Sequence, residues 1–243
     1  MIRARRRAGL LLPLLIAMIG LLLFLWWRSG GDDLGPRSER PQLLLLTSLP
    51  VIFGEEFSLD AAGSPLLDAL ESRYRVRAIA TTSPQELEGG RLLLMAQPLA
   101  QPAENLVALD RWVQDGGRVL ILADPLLEWA DHRPLGDATR PPPMFSDTGL
   151  LGHWGLTVHA PEARGGQRSS LAGKPVTAVS PGRLTGMCDL NADGLVARCD
   201  IGKGEAMVVA DADFVDWNRS VGAGEGQRAL LAALDSLESA RSD

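Results

Sequence analysis

The chain has 243 residues, 46% of them apolar and 22% charged, with a net charge of -6 and two cysteines. That apolar share supports a packed core and argues against global disorder, and an acidic chain with no internal Lys/Arg-rich run lacks the phosphate-neutralising surface of a nucleic-acid binder. Two cysteines exclude a disulfide-dense mini-protein and a four-cysteine zinc module.

Residues 10–27, LLLPLLIAMIGLLLFLWW, form 18 consecutive uncharged positions preceded by Arg3, Arg5, Arg6 and Arg7 and closed by Arg28. As a helix rising about 1.5 Å per residue the run reaches about 27 Å, close to the bilayer core of about 30 Å. A buried core helix would keep a polar face, which this run lacks. A signal peptide has a shorter apolar stretch ending in small residues, where this chain has Trp26, Trp27 and Arg28. The sequence therefore predicts a basic cytoplasmic segment (1–9) and an uncleaved signal anchor (10–27), a single pass through a bacterial inner membrane with the N-terminus cytoplasmic. Residues 1–28 carry five arginines and no acid, so the remainder of the chain holds -11. Residues 28–41, RSGGDDLGPRSERP, read as a Gly/Pro/charge-rich linker, and 42–240 as one periplasmic α/β domain.

Within that domain Leu43 to Leu46 is an aliphatic run of strand length, followed by a helix over Pro65 to Arg73, a strand over Tyr74 to Ala80 and another over Leu92 to Ala96. A helix then begins near Pro102, carries Leu106, Leu109, Trp112 and Val113 on one face and stops at Gly116-Gly117. Arg118 to Ala123 is the next buried-type strand. Strands apolar on both faces and separated by helices predict a doubly wound, mostly parallel sheet. Residues 125–156 hold only a short helix around Asp147 to His153, an unusually long connection. Val176 to Ser180, Leu184 to Cys188, Leu195 to Ile201 and Glu205 to Ala210 are strands with only turns between them, which predicts an antiparallel extension in the second half. Gly222-x-Gly224-x-Gly226 reads as a flexible loop before a final helix over Gln227 to Ala240.

Three stretches carry a family resemblance. Leu92 to Pro125 resembles the strand, Pro-containing loop, helix, Gly-Gly, strand, Asp-Pro unit of the GldG-like auxiliary domains of uncharacterised ABC-type transport systems. Leu150 to Val158, LLGHWGLTV, is similar to their segment after the sheet, and Gly202 to Phe214, GKGEAMVVADADF, to their hairpin and last strand. The resemblance implies a flavodoxin-like or class I glutamine-amidotransferase-like fold and ABC-transporter ATPase and permease subunits as partners. This chain departs from larger members in having a single span and no ATPase segment.

Catalytic residues are not evident. Cys188 lies in Gly186-Met187-Cys188-Asp189-Leu190, which lacks the second glycine of a nucleophile elbow, and no serine has such an elbow. His132, His153 and His159 have no metal-binding spacing. Cys188 and Cys199 sit at mirror positions about a turn, which predicts a cross-hairpin disulfide in an oxidising periplasm. Between them, Asp189, Asn191, Asp193, Leu195 and Asp200 match the ligand spacing of a twelve-residue calcium loop, with Gly194 at its sharp turn. The flanks read as strands rather than helices, so a solvated Asp-Gly hairpin is the competing reading to Ca2+ binding.

Asp124, Asp211 and Asp213, with Asp216 nearby, fall where strands end, which is where open α/β sheets bind ligands. Asp211 and Asp213 are two apart and would share a direction if the strand continued. A binding crevice and plain structural capping are both open readings of these carboxylates. The sequence favours a membrane-anchored, non-catalytic binding or assembly module, accessory to an ABC-type transport or gliding-like system. A membrane-tethered hydrolase or carbohydrate-processing enzyme using the strand-end carboxylates is the alternative.

Overall fold

The computed structural model describes residues 40–52, 64–216 apart from 132, 135 and 138, residue 218, and 223–239. The basic segment, the anchor and most of the linker (1–39) lie outside the described residues. Among the described residues no helix is long and apolar enough to cross a membrane.

The domain from Pro41 onward runs β1 (Gln42–Thr47), α1 (Pro65–Arg73), β2 (Arg75–Ala78), α2 (Pro84–Leu87), β3 (Leu92–Ala96), α3 (Ala103–Gln114), β4 (Arg118–Leu122), α4 (Leu150–His153) and β5 (Leu156–His159). It continues through β6 (Gly166–Leu171), β7 (Lys174–Val179), β8 (Arg183–Gly186), β9 (Asp189–Leu190), β10 (Val196–Ile201), β11 (Gly204–Val209) and α5 (Ala223–Ser239). A seven-stranded sheet has the order β2-β1-β3-β4-β11-β10-β9. Its first five strands are parallel, and β10 and β9 extend it by antiparallel pairing. Two small antiparallel pairs, β5 with β8 and β6 with β7, stand beside it.

The all-aliphatic strands are buried on both faces because helices cover both. Leu43, Leu45, Leu94, Leu120, Leu122, Met207 and Val209 face one core with Leu66 and Leu70 of α1 and Leu230, Leu234 and Leu237 of α5. The alternate residues Leu44, Leu93, Met95, Ile121 and Val208 face a second core with Leu87 of α2, Leu109 and Val113 of α3, and Leu151 and Trp154. Period-two alternation thus feeds two cores from one sheet. The start of α1 is fixed locally: the Ser64 hydroxyl accepts from the Leu67 amide (3.1 Å) and donates to the Val51 carbonyl (2.7 Å), with Pro65 at the first helical position.

Two sequence expectations change. The strand expected over Glu205 to Ala210 does not stay within the antiparallel section, because β11 inserts between β4 and β10 and pairs parallel with β4. All six of its residues are buried, which suits a central position. Gly224 and Gly226, read as part of a loop, lie instead in the first turn of α5, which begins at Ala223. A Cβ on Gly226 would fall 1.8 Å from the Phe214 carbonyl oxygen, so glycine here permits close backbone approach. Gly226→Ala should therefore lower stability by about 2 kcal/mol through overpacking. An unchanged melting temperature would contradict that contact.

Candidate functional site

The register of the sheet builds the site. Leu122 of β4 pairs with Val209 of β11, so Asp124 and Asp211, each two residues further on, emerge side by side at the carboxyl end of the sheet. Asp213 joins them differently from the expected strand alternation: β11 ends at Val209 and a 3-10 turn over Asp213–Val215 carries the chain back. One carboxylate oxygen from each of Asp124, Asp211 and Asp213 lies within 4.8 Å of the others. All three residues are 0% exposed.

The oxygens serve the backbone. The Leu126 amide donates to Asp124 Oδ1 (2.8 Å) and the Ala212 amide to Oδ2 (2.8 Å). Asp211 accepts from the Val179 amide through Oδ2 and from the Phe214 amide through Oδ1 (3.1 Å). Asp213 Oδ2 accepts from the Glu128 amide (2.7 Å). Three otherwise separate segments are tied together: the chain after β4, the end of β7 and the turn after β11. Asp216 is buried beside this turn and accepts from the Asn218 amide (2.9 Å) rather than joining the cluster.

A second layer holds the covering segment. The Asp124 amide donates to Gln97 Oε1 (3.0 Å), and Gln97 Nε2 donates to the carbonyls of Asp124 and Pro142 (3.2 Å each). Phe145 N–H donates to the Asp124 carbonyl (2.6 Å), and Ser180 Oγ donates to Glu128 Oε1 (2.7 Å). Gln97 and Ser180 are buried and both adopt left-handed backbone, at φ 44° and 46°, a conformation non-glycine residues keep only where their surroundings enforce it. Gln97 and Ser180 belong to no recognisable motif, so sequence reasoning does not find them.

Burial and mutual repulsion disfavour the ionised forms. Burial pushes Asp124 up to about 6, against the lowering effect of its amide bonds. Asp211 is raised well above the ordinary carboxylate range, first by burial and then by the charges of Asp124 and Asp213. The triad is the one group among the described residues with three metal-binding side chains gathered this closely. Exchange of a cation there would need an entry path, and the three side chains have no solvent exposure.

The calcium-loop residues are placed otherwise. Asp189 lies in β9 and Asp200 in β10, with Asp189 opposite Arg198 and Asp200 opposite Glu205. Asn191 Oδ1 accepts from the Val196 amide (2.9 Å), Asp193 Oδ1 from the Leu195 amide (3.1 Å), and Asp193 Oδ2 from the Ser169 hydroxyl. The carboxylates of Asp189, Asp193 and Asp200 are not gathered as the aspartate triad is. These bonds make a hairpin turn that already uses the side-chain oxygens of Asn191 and Asp193. Millimolar calcium is expected to give neither binding heat nor a thermal shift; a saturable heat would reverse this reading.

Cys188 and Cys199 form a disulfide with Cα atoms 4.8 Å apart. The pairing of Asp189 with Arg198 places the two cysteines opposite each other at the next position of the ladder, as the mirror spacing predicts. Closing a loop of this length stabilises by roughly 2 to 3 kcal/mol on the chain-entropy model. Reduction, or the double change Cys188→Ser and Cys199→Ser, should lower the denaturation midpoint accordingly; identical midpoints would argue against it.

No family model and no curated protein matches the chain. Solved structures do resemble it. The cytoplasmic protein STM3548 from Salmonella typhimurium aligns at 12% identity and a TM-score of 0.52, over 81% of this chain and 98% of that one. The mmIFT52 N-terminal domain aligns at 13% identity and a TM-score of 0.51, over 81% and 97%. The exo-β-1,4-mannosidase Op5Man5 from Opitutaceae bacterium strain TAV5 aligns at 14% identity and a TM-score of 0.50, over 82% of this chain but only 37% of that one. These likenesses show the fold.

Proposed function

We propose that the chain is a single-pass, membrane-anchored binding or assembly module without catalytic activity, its α/β domain held in the periplasm of a bacterial inner membrane. The observation that carries this reading is the closed carboxyl end of the sheet. Where open α/β sheets bind substrate, this domain buries Asp124, Asp211 and Asp213 and engages each with backbone amides. The hydrolase alternative requires those carboxylates to touch a substrate, and they have no exposed surface. The uncharged run of residues 10–27 supports the anchor. The Cys188–Cys199 bond suits an oxidising compartment. The resemblance of residues 92–125 and 202–214 to GldG-like domains supports an accessory role beside ABC-transporter ATPase and permease subunits.

Crosslinking of the full chain in native membranes, followed by identification of its neighbours, tests this proposal. Recovery of an ATPase and a permease, undiminished when Asp124 is changed to Asn, is the expected result. A reporter fused after residue 41 that is active only in the cytoplasm, or a turnover activity abolished by Asp124→Asn in a folded protein, would overturn it.

A further inference from the structure

At the carboxyl end of the parallel sheet Asp124, Asp211 and Asp213 are buried together, where burial disfavours the ionised forms of Asp124 and Asp211, and Asp216 is buried outside the cluster. At the amino end a cation stands at or just before the first residue of four of the five parallel strands: Arg75 for β2, Arg91 for β3, Arg118 for β4 and Lys203 for β11. Backbone bonds fix this row, with Arg75 N–H donating to the Pro41 carbonyl (2.8 Å), Arg118 N–H to Arg91 (2.9 Å) and Lys203 N–H to Gln114 (2.9 Å).

Arg91, Arg118 and Lys203 line one cleft of about 450 Å³ together with Pro41, where the chain enters the domain, and Glu238. Arg118 lies 3.5 Å from Glu205, which also approaches Arg198 at 3.3 Å. Arg91 and Lys203, both exposed, have no side-chain hydrogen bond or ion pair among the described residues. Half-buried Trp112 stands at the same edge, packed against the second core with its Nε1 donating to the Gly90 carbonyl (3.2 Å).

These cations are concentrated in a portion of the chain that carries -11 overall. An anionic bilayer repels such a domain on average, and the end carrying the cationic row opposes that repulsion. Pro41, which ends the linker read over residues 28–41 after the anchor proposed at 10–27, lines this same cleft. We infer that the cleft of Arg91, Arg118 and Lys203 docks the anionic headgroup of a membrane phospholipid and turns the amino end of the sheet toward the bilayer. This orientation rests on the anchored reading proposed above, and it leaves the opposite end and the β5–β8 and β6–β7 pairs for protein partners.

The test uses the full chain reconstituted into vesicles of phosphatidylcholine alone and of an equal mixture with phosphatidylglycerol, with amide exchange followed at residues 89–91, 116–118 and 202–204. Slower exchange at these turns in the anionic mixture is expected, with the effect lost in Arg91→Gln/Lys203→Gln and retained in Arg91→Lys/Lys203→Arg. Two cations near an anionic surface correspond to a roughly thirtyfold difference in partitioning. Equal exchange in the two lipid mixtures, or protection that survives the glutamine changes, overturns the inference. So does the same protection produced by inorganic phosphate over neutral vesicles, which would assign the cleft to a soluble anion. Flotation with phosphatidylcholine vesicles reports the anchor separately. If the chain does not float, sedimentation with the anionic vesicles decides the cleft: binding by wild type and its loss in the glutamine variant support it, and equal behaviour rejects it.

Discussion

Asp211→Ala should destabilise the domain by about 4 kcal/mol, because it leaves the buried amides of Val179 and Phe214 without their acceptor, at about 1 to 3 kcal/mol each. Loss of repulsion toward Asp124 and Asp213 works against this, since those charges help hold Asp211 well above the usual carboxylate range. The alanine also opens a void at a fully buried position, which adds to the loss. Asp211→Asn separates these effects: it keeps one oxygen for one amide and removes the charge, so its penalty should be well under half that of alanine. Chemical denaturation of the two variants beside wild type measures both. An alanine variant as stable as wild type would mean that the triad does not tie β7 to the turn after β11, and the structural reading of the site would fall with it.

The sequence was most informative where composition and periodicity agree. The runs Leu43 to Leu46, Leu92 to Ala96 and Arg118 to Ala123 are aliphatic at successive positions, a pattern that needs both faces covered, and they form β1, β3 and β4 within a residue or two. The helix read over Pro65 to Arg73 is α1 with the same bounds, and the Ser64 cap that starts it is seen in the structure. Polar strands were less legible: β6, GQRSSL, buries only Leu171 fully, so its partner β7 was visible and β6 was not. Placement of β11 between β4 and β10 depends on long-range pairing, which its own residues do not encode, although their uniform burial follows from it.

For the site, strand ends located Asp124 and Asp211, yet burial of the cluster was hidden. It is produced by the covering chain after β4, whose hold depends on Gln97 and Phe145 contacts with Asp124 from distant or irregular segments. The spacing of Asp189, Asn191 and Asp193 fits a metal loop and a hairpin equally well, because both use closely spaced oxygens around a glycine turn. The strand pairing of Asp189 with Arg198 that flanks the turn depends on a residue outside the motif's ligand positions.

The titration of the triad gives the second large effect. Asp124 rises from its usual value near 3.8 to about 6 in the folded domain, with burial as the main cause. Below the lower value both folded and unfolded chains hold the proton. As pH rises between the two, the unfolded chain releases it while the folded chain retains it, so wild-type stability falls by about 3 kcal/mol and levels off above the folded value. Asp211 is raised as well and adds a loss of the same sign. Asp131, lowered chiefly by its hydrogen bond with Arg133, works in the opposite direction, with stability lost as pH falls, but it is common to wild type and variant. Asp124→Asn cannot titrate; it sacrifices one amide bond at every pH and relieves Asp211 of a neighbouring charge. The stability of wild type minus that of Asp124→Asn should therefore fall by about 3 kcal/mol between about pH 4 and pH 7, measured from denaturation midpoints across that range. A difference that stays level, or that grows with pH, would show that the carboxylates ionise freely and are neither buried nor mutually repelling as the structure has them.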